Sequence, residues 1–267
     1  SEAEVLKKRM NDALNTLKSS KLHKKQKLYQ LPWYIIIGPP GSGKTTALLN
    51  SGLSFPLADK FGKDSIHGIG GTRNCDWWFT DQAVMIDTAG RYTTQDSHAE
   101  TDSKGWNNFM GLLKKHRPRR PINGAVIAVS ITDLITQTET ERNVQARAIR
   151  KRLNELNQQL GMTFPAYIMF TKADLVAGFL EFFDDLGREE REQIWGMTFS
   201  LQDEKQKLGS VARFSEEFKK LIQRANERLA TRLQQERDPK RRALIYEFPK
   251  QLASIQNAAE HFLKEIF

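Results

Sequence analysis

GPPGSGKTT, residues 38–46, follows directly on the apolar run Trp33–Ile37. It fits the pattern G-x-x-x-x-G-K-[ST], that of a loop wrapping a chain of phosphates. Such chemistry needs these residue types at this spacing. Gly38, Gly41 and Gly43 let the backbone approach closely, so that the N–H groups around Ser42, Thr45 and Thr46 point inward. Lys44 then reaches the β- and γ-phosphates, and the Thr45 hydroxyl ligates Mg²⁺. The loop lies between a buried strand and a helix expected from about Thr45 to Asn50, the context such a loop requires.

Two further stretches follow in the order of a G domain. VMIDTAG, 84–90, ends an apolar strand on an acid with a glycine three residues later. Asp87 is expected in the Mg²⁺ shell, and the Gly90 N–H at the γ-phosphate. FTKADL, 170–175, follows another apolar strand and fits [NT]-K-x-D, a base-reading pattern. Here Thr171 opens the motif, the Lys172 stem covers the ring, and Asp174 accepts from guanine N1–H and its exocyclic amine. Adenine lacks that amine, so GTP is favoured over ATP. Thr72 of HGIGGT, 67–72, is the candidate switch threonine completing the Mg²⁺ shell. Where small GTPases carry a water-orienting Gln after DxxG, this chain has Arg91, a candidate for offsetting transition-state charge in cis. Arg73 is a weaker candidate of that kind. The catalytic set is therefore Lys44, Thr72 and Arg91, and slow intrinsic hydrolysis is expected.

Strands are expected at 33–37, 75–79, 83–86, 125–131 and 166–170, and helices at about 104–116 and 138–160. The second helix is expected to carry Val144, Ala148, Leu153 and Leu156 along it. Adjacent Trp77 and Trp78 must face opposite sides of their strand, as core or interface anchors. Residues 91–103, RYTTQDSHAETDS, are polar and read as a mobile connection. Beyond residue 175 come two helical stripes: Phe214, Phe218, Leu221, Ile222, Ala225 and Leu229, then Phe248, Leu252, Ile255, Phe262 and Ile266. Alternating apolar strands and helices predict the α/β class. The expected architecture is a P-loop NTPase (G-domain-like) with a mostly parallel sheet, helices on both faces, an N-terminal basic helix and a helical C-terminal part. The corresponding divisions are 1–31, 32–205 and 206–267.

Composition narrows the function classes. The chain of 267 residues carries a net charge of +9, and residues 1–30 hold eight Lys/Arg against three acids. Leu6, Met10, Leu14 and Leu17 recur there at helical spacing, so the lysines are expected on a solvated face near an anionic membrane surface. A second basic cluster, KKHRPRRP at 114–121, reads as a helix end broken by prolines. Nucleic acid is disfavoured, because basic residues are not interleaved with aromatics outside the N-terminal segment. No apolar run approaches the roughly 20 residues of a membrane helix. The single cysteine, Cys75, points to a reducing compartment and reads as a small buried hydrophobe. The five histidines show no metal-ligand spacing.

GSGKTT with DTAGR and TKAD resembles the G domain of signal-recognition-particle-type GTPases at the level of motifs. A longer resemblance runs through PWYIIIGPPGSGKTTALLNSGLSFPL, GTRNCDWWFTDQAVMIDTAGRY, NGAVIAVSITDLI, PAYIMFTKADLVAGF and EREQIWGMTF. These resemble the IcmF/TssM family, the inner-membrane component of type VI secretion systems. The resemblance covers roughly residues 30–200. It implies a cytoplasmic NTPase-like domain between transmembrane helices, with the start at Ser1 reading as an excised segment. It also implies partners among the other membrane-complex and cytoplasmic baseplate components. Three function classes remain: an NTP-hydrolysing enzyme energising assembly, a nucleotide-responsive scaffold, and a targeting GTPase.

Overall fold

The structure, a computed structural model, describes residues 2–19, 31–54, 75–80, 82–94, 99–199 and 210–267. Thr72, Arg73 and the whole HGIGGT stretch lie outside these. The described chain forms two compact units. One comprises residues 1–129 and 147–171, and the other 130–146 and 172–267.

The first unit is built on a five-stranded sheet. Strands β1 (Trp33–Ile37), β2 (Cys75–Phe79), β3 (Val84–Thr88), β4 (Gly124–Ser130) and β5 (Ala166–Thr171) run in the order β2-β3-β1-β4-β5. β1 pairs parallel with both β3 and β4, as the apolar runs predict. β2 instead pairs antiparallel with β3, with Asp76 opposite Asp87 and Trp77 opposite Ile86. The sheet is therefore mixed but mostly parallel, as expected, with its antiparallel pair at that edge. The cause is the connection: residues 80–83 close a tight turn, with the Thr80 N–H donating to Ala83 O at 2.9 Å. So short a link allows a hairpin, whereas a parallel crossover needs a dozen residues or more.

Adjacent tryptophans show which helix covers which face. Trp78 packs with Ile36, Ala128 and Leu48, the last on helix α2 (Lys44–Leu49). Trp77 points the other way and meets Phe109 at a ring separation of 6.0 Å. Phe109 belongs to a helix spanning Ala99–His116, and a short helix, Gly90–Thr94, precedes it; we call these α4 and α3. Residues 91–94 and 99–103 are thus helical, with Tyr92, Thr93 and Asp102 buried, where a mobile connection was expected. Tyr92 is held by the Trp106 ring at 6.2 Å, so aromatic burial overrides the polar composition.

The N-terminal helix α1 (Glu2–Ser19) buries Met10 and Leu14, while Lys7 and Lys8 are exposed. Arg9 departs from the expected solvated face. Its guanidinium donates to Asp76 Oδ1 at 2.6 Å and to Cys75 O at 3.3 Å. A cation is needed there, because Asp76 and Asp87 stand opposite each other on neighbouring strands and both are buried. Cys75 is fully buried, and burial pushes its thiol well above the ordinary range, as befits an inert core residue. In the 114–121 cluster one cation is spent internally: Arg117 is fully buried, its guanidinium 4.6 Å from the Trp33 ring centre.

Helix α6 spans Glu139–Leu160, following the short α5 (Ile131–Thr136). Its buried apolar positions are Ala146, Ile149, Leu153, Leu156 and Leu160; Val144 is 63% exposed, so the first half of the apolar stripe is rotated from the one expected. In the second unit, α7 (Phe179–Phe183) and α8 (Arg188–Arg191) precede two long helices, α9 (Phe214–Gln235) and α10 (Pro239–Ile266). Both expected stripes face the core, with Ile222 and Leu229 half-buried at the margin of the first. Phe214, Phe218, Leu221 and Ala225 are buried on α9, and Phe248, Leu252, Ile255, Phe262 and Ile266 on α10. Asp238 caps α10 by accepting from the N–H groups of Lys240 and Arg241, and Pro239 takes the first helical position, where a missing donor costs nothing. No helix among the described residues is long and apolar enough to cross a membrane.

Candidate functional site

β1 and β4 are neighbours whose next strands lie on opposite sides, β2 beyond β1 and β5 beyond β4, so their connections diverge across the sheet. A crevice must open beyond the carboxyl ends of such strands, and this is where α/β sheets place ligands. Residues 38–46 sit at that point. Gly43 caps α2 with φ 81, a left-handed conformation that glycine adopts without penalty. The loop is drawn in from three sides. The Gly38 N–H donates to Thr93 Oγ1 at 3.2 Å, and the Thr171 hydroxyl donates to Ser42 O at 2.6 Å. On the third side Gly90 passes so close to Pro39 and Pro40 that an added Cβ would stand 2.4 Å from Pro40 N.

A cleft of about 480 Å³ opens here. Gly41, Gly43, Lys44, Thr45 and Thr46 line one side, and residues 88–91 the other. The Thr45 hydroxyl donates to Asp87 Oδ2 at 2.5 Å, bringing together two of the three residues expected around a metal ion. Thr72, the third, lies outside the described residues. Lys44 is 7% exposed, and its ammonium donates to Gly38 O at 2.9 Å and Pro39 O at 3.1 Å. Burial lowers its pKa to about 8, and the nearby Asp87 carboxylate works against that shift.

The donor set suits a magnesium–triphosphate. Thr45 and Asp87 supply the hard oxygens that Mg²⁺ takes. Lys44 supplies a desolvated cation, α2 an N-terminus, and Gly43 with Gly90 a close-fitting backbone. Arg91 lines the cleft on α3, and its guanidinium pairs with Asp102 on α4. Thr171, which opens the expected base-reading motif, ends β5 with its hydroxyl bracing the loop backbone. Lys172 and Asp174 belong to the second unit: Lys172 has φ 60 and precedes a single 3₁₀ turn, Ala173–Leu175, which holds Asp174.

Sequence reasoning missed Thr93 and Asp102. Nothing in the phosphate-loop pattern points to a threonine 55 residues on that receives the Gly38 N–H. Asp102 reads as an ordinary acid in the first turn of a helix. The available signal was the aromatic spacing Tyr92…Trp106…Phe109, which marks both helices as buried.

The lowered Lys44 pKa has a measurable consequence. Below pH about 8 the ligand-free ammonium is charged. Above it, a triphosphate that needs the charged form must take up a proton on binding. Affinity is therefore expected to fall above pH 8, by up to about tenfold per unit, until the bound-state pKa is reached. Calorimetry in buffers of different ionisation enthalpy would show proton uptake at pH 9 and little at pH 7.

The chain belongs to the IcmF/TssM family: the IcmF-related N-terminal domain matches residues 99–267. Across its full length it is similar to the type VI secretion system component TssM1 of Pseudomonas aeruginosa, at 59% identity over 268 residues. It spans 24% of that relative's length. No solved structure matches the chain.

Proposed function

We propose that this chain is the cytoplasmic nucleotide-binding domain of an inner-membrane type VI secretion component. It binds Mg²⁺ with GTP or ATP as a P-loop NTPase and hydrolyses slowly, so that nucleotide state switches or energises assembly. The observation that carries this reading is that Lys44 and Thr45 line one cleft at the switch point of the sheet, with the Thr45 hydroxyl donating to the buried Asp87 behind it. Bound Mg²⁺ would neutralise phosphate charge. Thr45 and Asp87 hold that ion, and Lys44 exchanges its loop carbonyls for phosphate oxygens. Backbone N–H groups of residues 41–46 cradle the chain of phosphates. Gly90 brings its N–H to the γ-phosphate, and turnover is slow because no Gln stands at residue 91 to orient water, the Arg91 there offsetting transition-state charge instead. Lys172 and Asp174 are the proposed base readers. The relative's name supports partners among secretion-system components, with the basic helix α1 beside an anionic membrane surface.

Base preference gives a sharp test. Asp174→Asn is expected to weaken GTP by about 1.5–3 kcal/mol, the worth of a charge-assisted hydrogen bond. It should improve xanthosine triphosphate, whose carbonyl can accept from the amide. Competition binding with both nucleotides checks this; an unchanged order means that the base is read elsewhere.

The use of the nucleotide is tested by turnover together with hydrogen exchange at residues 90–94 and 99–104. Slow turnover with greater protection in a non-hydrolysable triphosphate than in diphosphate is the expected result. Binding with equal protection in both states means a scaffold. Turnover of 1–100 s⁻¹, as in kinases, means an energising enzyme.

A further inference from the structure

We propose that Asp102 is a positioning residue for Arg91: from α4 it fixes the guanidinium at the cleft, where a phosphoryl group would meet it. The proposal rests on the nucleotide reading above and goes beyond it, since no motif includes residue 102.

Arg91 sits on the five-residue helix α3, and its side chain is 37% exposed. An arginine in that setting samples many rotamers, and ordering it costs side-chain entropy. A cation that stabilises developing charge must be held in place beforehand, because preorganisation is what makes it effective. Asp102 provides the anchor. Its side chain is 2% exposed, and its carboxylate accepts from the guanidinium. Its backbone is the first turn of an 18-residue helix fixed in the core by Trp106, Phe109, Met110 and Leu113, each 1% exposed or less. The Tyr92 ring completes the seat, its centre 4.7 Å from the guanidinium carbon, with its hydroxyl 3.5 Å from the second terminal nitrogen.

In this same conformation Arg91 lines the cleft beside Thr88, Ala89 and Gly90. The planar fork of a guanidinium suits it to bridging a carboxylate and a phosphate oxygen, which an ammonium on a flexible stem does less well. The bland alternative is a clip joining α3 to α4. A clip would affect stability, whereas a positioning residue affects the chemical step.

The experiment compares wild type, Arg91→Ala, Asp102→Asn and the double variant in steady-state hydrolysis. Nucleotide affinity and melting temperature are measured on each. Arg91→Ala is expected to lower kcat about 100-fold, the scale for losing one transition-state donor. Asp102→Asn should lower kcat on the order of 10-fold with KM little changed, because misplacement of a catalytic group costs rate rather than binding. The double variant should be no slower than Arg91→Ala alone, since Asp102 acts only through the arginine. Guanidinium chloride at millimolar, non-denaturing concentration should restore part of the rate to Arg91→Ala and none to the double variant.

An Asp102→Asn variant with normal kcat, or with its loss fully explained by a lower melting temperature, overturns the proposal. So does a double variant whose losses multiply. Wild type that binds triphosphate without turning it over overturns it too, while leaving the nucleotide site standing. Wild type that binds no nucleotide removes the site itself.

Discussion

Lys44→Ala is expected to weaken triphosphate binding by about 100-fold, roughly 3 kcal/mol, while the protein stays folded. The ammonium is buried at the floor of the cleft, where little water screens it, and a phosphate chain has greatest need of a cation there. Its present partners are carbonyls of its own loop, which the truncation frees to take water. Stability should not suffer greatly, because burial already works against the charged form. Titration calorimetry with Mg²⁺ and a non-hydrolysable triphosphate, beside circular dichroism, checks both halves. Wild-type affinity in folded Lys44→Ala protein would mean that phosphates are not held by this loop.

Gly90→Ala should be nearly as damaging by a different route. The added Cβ would lie 2.4 Å from Pro40 N, 2.5 Å from Pro40 Cα and 2.9 Å from Pro39 C. All three are backbone atoms, so no rotamer change relieves the clash. Either the loop moves off the sheet or α3 moves away from the loop. Overpacking of this kind costs typically about 1–3 kcal/mol, and here it falls on the binding geometry as well. A lower melting temperature together with weakened triphosphate binding is the expected result. Gly111→Ala is the control: on α4 an added Cβ there meets nothing within 4 Å. Alanine is the better helix former, so that variant should be neutral or stabilised by about 0.5–1 kcal/mol. If the two variants melt and bind alike, the close approach of Gly90 to the loop is not a constraint.

The parts of this fold legible in the sequence were those in which local pattern and tertiary setting agree. WYIII and AVIAVS are apolar on both faces because strands in the middle of an α/β sheet are covered on both sides, and each forms a strand; AYIMF forms one too, at the sheet edge, where Ala166 and Tyr167 are exposed. The glycines and lysine of residues 38–46 announce their loop because no other residues can make it. What stayed hidden depended on contacts distant in sequence. The 91–103 stretch looks unstructured because its helix-forming reason, burial of Tyr92 against Trp106, lies outside it. The Arg9–Asp76 pair joins residues 67 apart, so no local periodicity separates Arg9 from its solvated neighbours Lys7 and Lys8. The site divides similarly. Lys44, Thr45 and Asp87 come from motifs, whereas Thr93 and Asp102 act through one contact each and leave no pattern.

The most direct measurement is equilibrium titration of this chain with GTP and ATP in the presence and absence of Mg²⁺. One-to-one binding with a Kd below about 100 µM, about −5.5 kcal/mol, is predicted. It should tighten with Mg²⁺, favour GTP, and weaken about 100-fold in Lys44→Ala. No saturable binding of either nucleotide at millimolar concentration, in folded wild-type protein, would contradict a phosphate site at residues 38–46.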